Sequence, residues 1–157
     1  MKHSPMGCRA VRAVAGLAML LLLAQTSCSS PDPAAAASPA DGGAFPADTY
    51  ATVMSTSGAL SIAVRTSPQP PAVGTDDVQF TITKASDGTP VDGLTLVVEP
   101  WMPSMGHGTS AAPTVTPQGD GVYLVSNVYL FMQGVWALRT TISGPMSDDA
   151  APQLQIQ

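Results

Sequence analysis

The sequence predicts an all-β domain, an antiparallel β-sandwich of about seven strands, placed after a signal segment and a flexible linker. Three observations carry that expectation. From about residue 50 apolar residues recur at every second position, turn-forming residues separate the runs, and no later window shows an apolar stripe of 3.6-residue period. Alternation of this kind gives a strand one buried and one solvated face, and a series of short strands cut by turns packs as two layers.

The N-terminus reads as an export signal. Lys2, Arg9 and Arg12 form a positive region, and "AVAGLAMLLLLA" (13–24) is an uncharged apolar run of signal-core length, too short to span a bilayer comfortably. "QTSCSS" follows and resembles a bacterial lipoprotein signal, in which Cys28 becomes the lipidated first residue of the mature chain. Gln25 stands where such signals usually carry Leu, so ordinary cleavage and free secretion is the alternative. Cys8 lies in the segment to be removed, which leaves Cys28 as the lone thiol and the domain without an internal disulfide. The expected divisions are 1–28 signal with lipidation cysteine, 29–49 Pro/Ala/Ser linker, and 50–157 sandwich. The linker has no periodicity and suits a tether that holds the domain off a membrane.

The strands follow in order: "ALSIAVR" (59–65), "VQFTITK" (78–84), "LTLVVE" (94–99), "GVYLVSNVYL" (121–130), "VWALRTTI" (135–142) and the closing "QLQIQ". "SPQPPAVGTDD", "SDGTPVDG", "PQGDG", "MQG" and "SGPMSDD" are the turns between them. In "GDGVY", Tyr123 sits just inside a late strand after a Gly/Asp turn, as in the tyrosine corner of immunoglobulin-like sandwiches. Trp136 alternates in phase with Leu138 and is expected in the core.

Charge narrows the partners. From residue 28 onward only Arg65, Lys84 and Arg139 are basic, against eleven acids. Phosphate recognition needs clustered Lys and Arg, so nucleic acid is not an expected partner, and neither are anionic headgroups. Catalysis is not expected either. His107 is the only histidine after the signal, no Gly-x-Ser-x-Gly elbow or phosphate loop is present, and most acids sit in turns.

One loop stands apart. "EPWMPSMGHGTSAAP" (99–113) begins where the 94–99 strand is expected to stop, because Pro100 and Pro103 exclude a helix and a central strand. It places Met102, Met105 and His107 within six positions, and Met132 lies in a later turn that a sandwich can bring to the same end. Thioether sulfur and imidazole nitrogen suit a soft cation, Cu(I) above all. The other reading is structural: methionine is a common gap-filler, and His107 then bonds a loop carbonyl. Trp101 either shields a metal or caps the core. The acids lack calcium-loop spacing, and no Cys–His set suits zinc.

Met102, Pro103, Met105, His107 and Gly108, then Gly121 and Tyr123, then Met132, Gly134 and Trp136 together resemble the YtkA-like domain family, related to FixH-like proteins. The resemblance covers roughly residues 58–143. It implies a small exported or membrane-tethered bacterial domain with an immunoglobulin-like sandwich, associated with copper handling or oxidase assembly. The expected function is a lipid-anchored, envelope-located module that holds Cu(I), or passes it to a copper-receiving or other envelope protein, through Met102, Met105, His107 and Met132. The alternative is an accessory sandwich of the cell envelope that binds a protein partner and no metal.

Overall fold

The computed structural model describes residues 45–157. The signal segment, Cys28 and residues 29–44 of the linker lie outside the described residues. Among the described residues there is no helix. Ten strands run in chain order: β1 (Ala51–Met54), β2 (Leu60–Ser67), β3 (Gly74–Lys84), β4 (Thr95–Met102), β5 (His107–Gly108), β6 (Thr114–Gly119), β7 (Val122–Leu130), β8 (Gly134–Ser143), β9 (Asp148–Ala150) and β10 (Gln153–Ile156). One sheet has the order β1-β2-β3-β7-β6, the other β10-β8-β4-β5 with β9 also on β8, and all pairs are antiparallel. The expected all-β sandwich is therefore what the chain forms.

The alternation read from sequence is the burial pattern observed. Leu60, Ile62 and Val64 of β2, Val78, Phe80 and Ile82 of β3, Leu96 and Val98 of β4, and Trp136, Leu138 and Ile142 of β8 face inward and are buried. Burying one such side chain stabilises the fold by ~1.5–3 kcal/mol, which is how a domain without disulfides stands. Trp136 is the largest fully buried side chain, as its phase with Leu138 predicts.

Four short strands are absent from the sequence reading: β1, β5, β6 and β9. They are two to six residues long, and β6 is almost wholly exposed, so none shows a run of alternation long enough to stand out. The largest correction concerns β4, which does not stop at Glu99 but continues through Pro100 to Met102. Pro100 lies opposite Leu138, whose N–H points away from β4 and donates to the Pro152 carbonyl at 2.8 Å. The Pro100–Leu138 pair is thus one that exchanges no hydrogen bonds, and the proline's missing donor faces the short β5 edge instead.

Two backbone features adjust the layers. The β6–β7 hairpin turns at Asp120 and Gly121, both at positive φ (52° and 71°), the signature of a type I′ turn. A bulge in β7 sets Ser126 and Asn127 opposite the single residue Asp77, with Asn127 at φ 62°. The bulge reverses the phase of β7. Tyr123 and Val125 face inward before it, Val128 and Leu130 after it.

Tyr123 forms the expected corner. Its hydroxyl donates to the Val91 carbonyl at 2.8 Å and accepts the Leu94 N–H at 3.1 Å. The Gly121 N–H donates to Asp92 Oδ1 at 2.8 Å, so the corner ties the 85–94 connection to the hairpin from two sides.

Candidate metal centre

The loops fall into two groups at opposite ends of the sandwich. One end carries residues 55–59, 85–94, 119–121 and 143–147. The other carries residues 68–73, 103–106 and 131–133, because β2 finishes there, β3 starts there, and Gly74 pairs with Leu130. The methionine-rich loop and the Met132 turn therefore share one end.

The loop folds as a tight turn closed by its own backbone. The N–H groups of Met105 and Gly106 both donate to the Met102 carbonyl, at 3.2 and 3.0 Å, and Gly106 takes φ 67°. The chain reverses, and His107 becomes the cross-strand partner of Met102 in the two-residue ladder of β4 and β5. Residues directly opposite in an antiparallel ladder project from the same face, Cβ atoms ~4.5–5.5 Å apart. For this pair that face is the inner one, since Met102 is 1% exposed. The thioether of Met102 and the imidazole of His107 thus leave the backbone side by side at the mouth of the core.

Their surroundings come from the β7–β8 turn. The Phe131 ring lies over the His107 ring, centroids 5.7 Å apart and planes within 14°. Phe131 also meets Trp136 edge-on at 5.3 Å and Tyr129 at 6.0 Å. The Trp136 indole N–H donates to the Met132 carbonyl at 3.0 Å, which fixes the turn against the core. Gly134, at φ 127°, lies so close that a Cβ there would stand 3.0 Å from the Met102 methyl. Met132 packs half-buried against the core at this same end.

The remaining ligand candidate stands differently. Met105 is at the tip of the turn with 60% of its surface exposed, while its backbone is held. A thioether on three rotatable bonds can swing without moving that backbone. His107 has one contact of hydrogen-bond type, Nδ1 to the Gly108 carbonyl at 3.4 Å, at the long edge of such bonds. Its donor capacity is little used by the protein. Among the described residues no three of His, Cys, Asp and Glu come together as a metal-binding group. The donors at this end are two thioethers, one imidazole and the half-buried Met132.

Trp101 takes neither of its expected roles. Alternation along β4 turns it to the outer face, away from Met102, where the Arg139 guanidinium carbon lies 3.8 Å from its ring centre. It is a surface cation–π partner. A shallow concavity of about 370 Å³ lies on that outer face beside Val97, Glu99, Arg139 and Asp149, and it includes neither Met102 nor His107. Phe131 is the residue that sequence reasoning missed. It falls at a strand end, just past the bulge that shifts the phase, where periodicity carries no signal.

No curated protein compared with the chain matches it. A solved structure of a copper-bound variant of FetP from uropathogenic Escherichia coli strain F11 is similar at 11% identity and TM-score 0.47, over 67% of this chain and 93% of that one. The YtkA-like family model matches residues 54–141, more than half of the chain and the segment that holds the Met102–His107 turn, the Tyr123 corner and Trp136, and the chain therefore belongs to the YtkA-like family.

Proposed function

We propose that this domain binds Cu(I) at the end of the sandwich where Met102 and His107 meet, with Met105 closing from the solvent side and Met132 flanking. One observation carries the reading: Met102 and His107 are direct cross-strand partners on the inner face, and the imidazole has no strong bond elsewhere. A neutral thioether and an imidazole match a soft cation better than a hard one. The residues fit that use. Met102 is buried with its methyl close to Gly134, the Phe131 ring stacks on His107, and the Met105 side chain is exposed beside them. Copper, once held, would be the cargo; the protein's part is to present two or three soft donors at an apolar mouth and to release them by side-chain rotation.

The same proposal places the domain in the cell envelope. The export signal and Cys28 make it a lipid-anchored module on the outer side of a membrane, the linker its tether, and a copper-receiving envelope protein its partner. It acts by binding, not by catalysis. A second reading is favoured by another observation: Val73, Met105, Tyr129 and Val135 are exposed apolar side chains at this same end, an apolar rim that suits a protein partner without metal.

A titration separates the two. The full chain, purified in non-ionic detergent, competes for Cu(I) with a chromophoric chelator. One equivalent withdrawn, and lost in folded Met102→Leu and His107→Ala variants, supports the metal site. No competition by a folded chain leaves the apolar-contact reading.

A further inference from the structure

Two methionines of one short turn stand in opposite environments. Met102 is 1% exposed, its methyl packed beside Gly134, whereas Met105, three residues on, is 60% exposed at the tip. Thioether oxidation follows access to solvent, and the product is a polar sulfoxide that methionine sulfoxide reductases return to the thioether. Two backbone hydrogen bonds to the Met102 carbonyl fix the Met105 backbone, so the exposure belongs to the side chain alone.

We infer that Met105 is an oxidation site that gates the metal centre: a hydroperoxide or hypochlorous acid converts its sulfur to the sulfoxide and removes the solvent-side donor, while Met102 is left intact. The inference rests on the copper reading above. In the step with a hydroperoxide, a sulfur lone pair attacks the outer oxygen, the O–O bond breaks, and a sulfur–oxygen bond forms. Sulfur gives up two electrons, and the peroxide leaves as water or an alcohol after taking up a proton. The sulfoxide is bulkier and harder at its oxygen, so it no longer offers the soft sulfur that Cu(I) selects. The turn survives the change because no backbone bond involves the Met105 side chain. Met54 serves as an internal control. It is 52% exposed but pairs with Ser61 near the start of β2, at the opposite end of the sandwich.

The test uses the full chain in detergent and silver(I), a soft monovalent ion that peroxide does not cycle between oxidation states. Silver binding is measured first by calorimetry, before any oxidant. Absence of binding at that stage sinks the copper reading and this inference with it. The metal-free chain is then treated with dilute hydrogen peroxide, and each methionine peptide is followed by mass spectrometry. Met54 and Met105 are expected to oxidise together, at least ~10 times faster than Met102, in line with their access. One equivalent of silver protects Met105 and leaves Met54 unprotected. Silver affinity falls about tenfold or more on oxidation, recovers with sulfoxide reductases, and is insensitive to peroxide in a Met105→Leu variant. Equal oxidation of Met102 and Met105, or silver affinity unchanged by a sulfoxide at Met105, overturns the inference while leaving the metal site standing.

Discussion

The two ends of the sandwich are finished in opposite ways. At the Tyr123 end, side-chain oxygens and backbone donors are matched to one another. The Tyr123 hydroxyl bonds Val91 and Leu94, Asp92 takes the Gly121 N–H, and Asp148 accepts from the Ser57 backbone and hydroxyl across the sheets. At the other end the Met102–His107 turn is closed by backbone alone, and its sulfurs and imidazole are covered by rings or left to solvent. A buried polar group without a partner costs ~1–3 kcal/mol, so the first end is built to satisfy itself. Thioethers carry almost no such cost, and the second end can leave its donors free for a ligand. Side-chain hydrogen bonds occur at the second end too, where Trp136 donates to the Met132 carbonyl and Asp76 accepts the Ala72 N–H, so the contrast lies in the Met102–His107 turn itself, whose side chains are the donors of the proposed metal site.

That division is tested first by Tyr123→Phe. Removing the hydroxyl leaves a buried carbonyl and a buried N–H without their partner, and an unfolding free energy lower by ~1–3 kcal/mol is expected in a denaturant titration. Cu(I) affinity of the folded variant should match the parent. Gly134→Ala acts at the opposite pole. The added Cβ presses on the Met102 methyl and the backbone stands at φ 127°, so weaker Cu(I) binding is expected together with a fall in stability of about 1 kcal/mol or more. A change in stability with unaltered affinity would detach Met102 from the site.

How much of this was legible beforehand follows from particular residues. Strict alternation in β2 and β3 made those strands readable, and the Gly-Asp-Gly-x-Tyr pattern made the corner readable, because each is a local rule with one structural outcome. The family resemblance rested on residues that the YtkA-like model does cover. Pro100 is accommodated within β4 because Leu138 opposite it sends its own N–H to Pro152, so the missing proline donor costs the β4–β8 ladder no bond, and this depends on register rather than on the local sequence. Trp101, open in sequence between shielding a metal and capping the core, does neither, because β4 continues to Met102 and alternation puts Met102 inside and Trp101 outside. The pairing of Met102 with His107 depends on a reversal whose register lies in backbone bonds, and the β7 bulge that precedes Phe131 is likewise a register event.

Smaller effects sharpen the contrast further. The hydroxyls of Ser55 and Ser57 hold the Asp148 carboxyl well below the usual carboxylate range. A carboxyl whose folded value is lowered stabilises the fold above the ordinary carboxylate range, and loses that contribution as pH falls through it toward the folded value. Thermal melting of Asp148→Asn should therefore differ from the parent at pH 7 and converge with it in strong acid. Asp76 is the counterpart, buried near the end that carries the Met102–His107 turn, where desolvation raises its carboxyl against the opposing Ala72 N–H. A raised value acts with the reverse sign, so Asp76→Asn should gain relative to the parent as pH rises from the carboxylate range to neutral. At the outer face, Arg139→Gln removes a surface cation–π contact worth ~0.5–1 kcal/mol and should leave metal affinity untouched.

The most direct measurement is the X-ray absorption spectrum of the Cu(I)-loaded full chain. A first shell of both sulfur and nitrogen scatterers is predicted, with sulfur reduced in Met102→Leu and nitrogen lost in His107→Ala. A shell of nitrogen and oxygen alone, unchanged in both variants, would contradict a centre built from the Met102–His107 pair.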